Sequence, residues 1–225
     1  MKLNKVCFIR SKQKILNNLS DEWPDQGVVI LLGANGAGKS TLLQVLAGIT
    51  QPGSGEVDKN GLNGCFMMPE PAKFYPSLSV GEQLLFVAKQ FHKNYSEQQL
   101  KSILSSWQLT DHENKLTKHL SLGYRQRLSL AQLEASDADL LLLDEPMNGM
   151  DPAVMQIFQE KVAQWRNNKL VVMATHVMQE VQELADWVVI MERGTILHSA
   201  AVESDSDLKE LYHKVIKHHS TGTMS

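Results

Sequence analysis

Residues Val28 to Leu43 read VVILLGANGAGKSTLL. The first five are apolar, rich in β-branched side chains and too few for a helix, so they predict a buried strand. A glycine-rich turn follows, and Lys39-Ser40-Thr41 opens a helix whose apolar face is Leu42, Leu43, Val45, Leu46 and Ala47 and whose end is Gly48. Gly33, Gly38, Lys39 and Ser40 fit G-x-x-x-x-G-K-[ST], and the strand before and helix after supply the context that pattern requires. The chemistry is that of an anion cradle. Backbone N–H groups from Gly33, Ala34, Asn35, Gly36, Ala37 and Gly38 can turn inward on phosphate oxygens at the positive end of a helix. Lys39 then reaches the β- and γ-phosphates as a mobile point charge, Ser40 offers its hydroxyl to Mg²⁺, and Thr41 helps hold the remaining oxygens.

A second apolar run, Leu140 to Leu143, ends in Asp144-Glu145-Pro146, and a third, Leu170 to Ala174, leads directly into Thr175-His176. Both predict strands, and the proline terminates the first. Asp151-Pro152 is a helix start, an N-cap followed by proline at the first helical position, with the helix running to about Arg166. Alternation of strand and helix implies a mainly parallel sheet wrapped by helices. In such a sheet the carboxyl ends of the strands meet at one edge, so the cradle, Asp144-Glu145 and His176 can share a site. There Asp144 suits Mg²⁺ coordination through water. Glu145 can accept a proton from an attacking water, and His176 can donate a hydrogen bond toward the γ-phosphate and orient that water.

The remaining stretches fill in the organisation. Residues 1 to 32 read as strands broken by the charged turn Arg10 to Lys14 and by Asp25-Gln26-Gly27. Residues 56 to 68 alternate short strands with the turns Asn60-Gly61 and Asn63-Gly64. From Pro69 the character becomes helical: Ser79…Glu82 and Ser96…Gln99 both have capping-box spacing. Residues 71 to 118 thus form a helical lobe, and another helix runs from Ser121 to Glu134. A helix at 178 to 185, strands at Trp187 to Met191 and Thr195 to His198, and a final amphipathic helix marked by Leu208, Leu211, Tyr212 and Val215 complete the chain. His218 and His219 read as a solvated tail. Residues 1–70 and 136–225 are expected to build the sheet-containing core of one domain, 71–135 its lobe, and 219–225 a mobile end.

Of 225 residues 43% are hydrophobic, enough for a real core, but no apolar run approaches the roughly 20 residues of a membrane span, and no secretory leader is expected. A cytoplasmic location is the expectation. The net charge of −3 argues against a polyanion partner, so no nucleic acid is expected. Cys7 and Cys65 match no metal or redox spacing and read as buried reduced thiols.

Taken together the motifs resemble the ATP-binding subunit of an ABC transporter over nearly the whole chain and in the family's order. Gly33 to Ser40 stand as the Walker A, Glu70 at the Q-loop position, Leu120 to Tyr124 as the signature and Leu140 to Asp144 as the Walker B. Glu145 matches the catalytic glutamate, Asn148 to Asp151 the D-loop and His176 the switch histidine. The stretches MPEPAKFYPSLSVGE and LSLGYRQRLSLAQ are most similar to the exporter branch. The resemblance implies an α/β fold: a P-loop NTPase core with a mainly parallel sheet, an antiparallel β subdomain and an inserted helical lobe.

The resemblance further implies ATP and Mg²⁺ as cofactors, with Glu70 among the catalytic and metal-binding groups. It implies a head-to-tail pairing with a second ATPase subunit, identical or paralogous, in which Ser121 and Gly123 touch the γ-phosphate in trans. It places the chain on the inner face of the cell membrane through an integral-membrane transporter subunit, received near the lobe beginning at Glu70. Three positions depart from the family's commonest form. Leu122 and Tyr124 replace Gly and Gln, Glu70 replaces Gln, and near Arg10 and Ser11 no aromatic residue is present to stack on adenine, leaving Arg10 or Phe8 for that role. The alternatives are a soluble ATPase acting on nucleic acid or ribosomes, whose relatives carry paired domains or basic arms, and a nucleotide switch of low turnover.

Overall fold

Strands β1 (Lys2–Arg10) and β2 (Gln13–Glu22) form a hairpin closed by Ser11 and Lys12, whose φ values of 49° and 67° are the left-handed pair that a two-residue hairpin turn demands. The structure, a computed structural model, describes residues 1–68, 71–203 and 206–222. After the hairpin come β3 (Gly27–Leu32), α1 (Lys39–Leu46), β4 (Ser54–Asp58) and β5 (Cys65–Met68). The chain continues with α2 (Val80–Gln90), α3 (Glu97–Ser106), α4 (Leu122–Ser136), β6 (Leu140–Asp144) and α5 (Pro152–Trp165). It ends with β7 (Leu170–Thr175), α6 (Met178–Val181), β8 (Trp187–Glu192), β9 (Thr195–Ala201) and α7 (Leu208–Gly222).

Two sheets result. The smaller is antiparallel in the order β2-β1-β4, and the larger runs β5-β6-β7-β3-β8-β9, with every neighbouring pair parallel except β8 and β9. The continuous apolar runs are explained by burial on both faces. Val28, Ile30 and Leu32 of β3 point into one hydrophobic cluster, with α2 to α5, while Val29 and Leu31 point into the other, with α1 and the β1–β2 hairpin. Both faces of β6 and β7 divide in the same way, so the sheet is the partition between two cores.

The lobe between β5 and β6 follows its local signals. Ser79 and Ser96 each accept from the backbone N–H three residues on, and the Glu82 and Gln99 side chains return the bond, so both capping boxes are complete. α4 packs against α2, α3 and β5 and is buried from Leu128 onward, whereas its first turn stands in solvent with Leu122 at 83% exposure.

Several expectations change in the structure. Residues 56 to 68 hold no strand between the two Asn-Gly turns, and the strands on either side join different sheets, β4 with β1 and β5 with β6. The helix expected over 178–185 stops at Val181. Both Leu184 and Ala185 N–H close back on the Val181 carbonyl, tightening the chain into a turn that lets Gln182 bond Ser206 and Leu208. α7 continues to Gly222, so 219–222 are helical rather than tail, and His219 Nδ1 lies 3.1 Å from Glu192; residues 223–225 lie outside the described residues. Cys7 and Cys65 are unpaired as expected but only partly buried, and burial pushes the Cys65 thiol up to about 11.

Candidate functional site

The cradle forms where β3 ends. Gly33 has no room for a side chain, since an added Cβ would lie 2.5 Å from the Met191 carbonyl of β8. Gly38 caps α1 in the left-handed region at φ 105°, with the Ile15 carbonyl 3.0 Å from where its Cβ would be. Between them Ala34, Asn35 and Gly36 are exposed, and Ala37 to Lys39 are buried. Lys39 is 6% exposed, and its Nζ donates to the Gly33 carbonyl at 2.7 Å and lies 3.4 Å from the Ala34 carbonyl. The ammonium therefore lies back across the loop it serves. Burial pulls its pKa down, and the charges of Glu145 and Asp144 oppose that pull.

Sheet register brings the other groups to the same level. Leu32 pairs with Thr175 and Asp144 with Ala174, so Gly33, Glu145 and His176 leave the sheet side by side at its carboxyl edge. A cleft of about 570 Å³ is lined by Asn35 to Thr41, Asp144 and Glu145, together with Gln13 and Ile15 of β2. Burial, the largest influence, lifts the Asp144 carboxyl above its usual range, a hydrogen bond from the Ser40 hydroxyl and the charge of Lys39 pull it back, and the Glu145 charge adds to the rise.

Glu145 is held in the left-handed region at φ 45°, which for a residue with a Cβ stores roughly 1–2 kcal/mol. Its N–H donates to the Ala174 carbonyl at 2.8 Å, so the backbone stays on the ladder while the side chain is re-aimed into the cleft. Oε1 is 2.9 Å from His176 Nδ1, and Oε2 is buried with no partner. His176 lies outside the cleft lining and reaches it through Glu145.

Other sequence-derived residues are placed differently. Glu70 lies outside the described residues. Ser121 and Gly123 are exposed at the head of α4 and do not line the cleft, and the Ser121 hydroxyl caps nothing. Arg10 lies over the Phe8 ring, 5.6 Å from its centroid, and neither residue lines the cleft. Gln13 and Ile15, which do, were missed; alternation along β2 past its turn was the available signal. Also unforeseen is Gln126 Nε2 donating to the Asn148 carbonyl at 2.9 Å, which fastens α4 to the segment after Glu145.

A doubly wound sheet with a glycine-rich anion cradle, a buried lysine and an acidic pair at its carboxyl edge defines a P-loop nucleotide-binding protein. The family described as ABC transporter matches residues 16–148. An uncharacterized ABC transporter ATP-binding protein of Bacillus subtilis, YdbJ, is 33% identical over 214 residues, covering 90% of this chain and 69% of that one. The lantibiotic transport ATP-binding protein SrtF of Streptococcus pyogenes is 30% identical over 224 residues, 96% of this chain and 97% of its own. The fold matches a solved ATP-binding subunit of an ABC transporter with a TM-score of 0.86 at 21% identity, over 96% of this chain and 98% of the other. The chain belongs to the ABC transporter family and is its ATP-hydrolysing motor subunit. Nothing in these likenesses favours the ribosome or nucleic-acid alternative. Among the described residues no helix is long and apolar enough to cross a membrane.

Proposed function

We propose that the triphosphate of ATP lies in the Gly33–Thr41 cradle and is hydrolysed there by water that Glu145 deprotonates. The observation that carries this reading is the buried, unpartnered Oε2 of Glu145 at the cleft wall. A buried carboxylate oxygen without a donor is costly, and a water held against the γ-phosphate supplies that donor and is the nucleophile. Lys39 moves its ammonium from the loop carbonyls to the β- and γ-phosphates, a short reach for a flexible stem. His176, fixed through Nδ1 on Glu145, orients the water and donates toward the γ-phosphate.

The donor set fits Mg²⁺. The Ser40 hydroxyl and Asp144 carboxylate are adjacent hard oxygens, and among the described residues no cluster of three His, Cys, Asp or Glu competes for a softer metal. Ser40 and Asp144 would hold Mg²⁺, which when bound would supply positive charge against the phosphate oxygens. Glu70, which stands at the Q-loop position in place of the family's usual Gln, is a further oxygen ligand proposed for this centre.

The signature completes a partner's site rather than its own. Ser121 and Gly123 stand exposed with the Ser121 hydroxyl unused, as residues waiting for a γ-phosphate from a second subunit would. ATP therefore closes a head-to-tail dimer and hydrolysis opens it, because the γ-phosphate is the differential contact. The opening and closing drive an integral-membrane partner on the cytoplasmic face of the membrane, received at the lobe of α2 to α4. The test is sedimentation of the full chain carrying Glu145→Gln. With Mg²⁺ and ATP it is expected to shift from monomer to dimer, and Ser121→Arg is expected to abolish the shift. A persistent monomer at saturating ATP, with the membrane partner also present, would contradict the dimer.

A further inference from the structure

The head of α4 carries Ser121 and Gly123, yet little within its own first turn holds it. The Ser121 side chain caps nothing, no acidic residue sits in that turn, and Ser121, Leu122, Gly123 and Arg125 are all exposed. Of residues 121–125 Tyr124 alone is half-buried, and its ring lies face to face with the His112 imidazole, the centroids 3.9 Å and the planes 26° apart. The other side-chain contact there, Arg125 Nη2 donating to the Lys118 carbonyl at 3.1 Å, stands in solvent. Gln126 and Arg127 anchor only the next turn, to Asn148 and Asp151.

His112 itself is firmly placed. It ends the 3₁₀ turn Thr110–His112, and the segment after it is laddered to the start of α2. Gly81 N–H donates to the Glu113 carbonyl at 2.9 Å, Val80 N–H to the Lys115 carbonyl at 3.0 Å, and Thr117 N–H to the Leu78 carbonyl at 2.9 Å. The imidazole Nδ1 is buried with no hydrogen-bond partner. An unpaired buried nitrogen is a cost, so the ring does not sit there to bond through that atom. What it presents to Tyr124 is a plane.

From this arrangement we infer that His112 is a positioning residue for the signature: its ring fixes Tyr124, and through Tyr124 the angle at which Ser121 and Gly123 meet the γ-phosphate of a second subunit. The inference rests on the reading that Ser121 and Gly123 act in trans. The two rings join the start of α2 to the one helix end that must be ordered before ATP can close the pair. A stacked ring pair contributes about two- to tenfold to an equilibrium. A head-to-tail dimer uses two signatures, so the factors multiply to about four- to hundredfold in the dimer constant. Neither His112 nor Tyr124 lines the cleft, so the effect falls on pairing and leaves nucleotide binding by the single chain as it was.

The test is sedimentation, in Mg²⁺ and ATP, of the full chain carrying Glu145→Gln, by itself and combined with His112→Leu, Tyr124→Leu, both, or His112→Phe. ATP affinity is titrated in parallel at a chain concentration below that of pairing. Each leucine substitution is expected to raise the dimer dissociation constant by about tenfold and to leave ATP affinity within about threefold. The two together should add no more than about twofold to either alone, since losing one ring already removes the stack. His112→Phe, which restores the plane without the nitrogens, should stay within about threefold of Glu145→Gln alone. Pairing undiminished by His112→Leu, additive effects in the double variant, His112→Phe as weak as His112→Leu, or ATP affinity falling in step with pairing would each overturn the positioning role while the trans reading stands. A Glu145→Gln chain that does not pair at all overturns the trans reading and this inference with it.

Discussion

Lys39→Ala removes the one cation that lines the cleft among the described residues, and the loss can be scaled from its surroundings. Lys39 is 6% exposed, donates to the Gly33 carbonyl at 2.7 Å, and has Glu145 and Asp144 as its opposing charges. Alanine leaves the two carboxylates facing an incoming triphosphate with no compensating ammonium. Hydrogen bonds to charged groups contribute about 1.5–3 kcal/mol each, so losing one to the β- and one to the γ-phosphate amounts to about 3–6 kcal/mol, or about 10²–10⁴ in Kd. The assay is calorimetric titration of the full chain with ATP in Mg²⁺, beside a thermal-unfolding control. Lys39→Arg is expected to fail as well, because a planar guanidinium fork cannot occupy the position of a compact ammonium between two loop carbonyls. Affinity within about threefold of the unmodified chain would refute the placement of the phosphates, since no term on this scale could then be missing.

Two further predictions concern stability. Asp137 ends α4 at φ 45° and binds Lys169 Nζ and Lys93 Nζ, each at 2.7 Å; burial alone would raise its carboxyl, but the two ammoniums hold it below the usual range. Asp137→Asn keeps the left-handed turn and one acceptor oxygen but removes the charge facing Lys169 and Lys93; because the Asp137 side chain is 47% exposed, chemical denaturation should show a loss of only about 0.5–1 kcal/mol at neutral pH. Because the native pKa is depressed, that stabilisation is present above the unfolded value and vanishes as pH falls through the native one, so the two proteins should converge below about pH 4. Gln132→Leu strands Gln83, whose Nε2 donates to Gln132 at 2.7 Å between α2 and α4 where both residues are buried, and should lower stability by about 1–3 kcal/mol in a urea titration.

Much of the fold is legible in local signals. The β3 run, both capping boxes and the Asp151-Pro152 start each act within a few residues, and the structure reproduces them because core burial and local preference agree there. Strand pairing is not local: nothing near Asn60-Gly61 says that β4 belongs to β1 while β5 belongs to β6. The shared edge of Gly33, Asp144, Glu145 and His176 follows from parallel order alone. What the sequence withholds is the left-handed backbone of Glu145, which aims its side chain, and the approach of the β2 start to Gly38, which makes Gln13 and Ile15 the far wall of the cleft. Both depend on contacts between segments distant in the chain.

The central claim is that Glu145 is the base acting on water at a phosphate held by Lys39. Its most direct test is phosphate release by the transporter complex carrying Glu145→Gln at saturating ATP, with ATP binding measured in parallel. The amide keeps the shape and the contact with His176 but cannot take a proton, so turnover should fall by about 10²–10⁴ while ATP remains bound. Turnover equal to that of the unmodified complex, with binding intact, would contradict it.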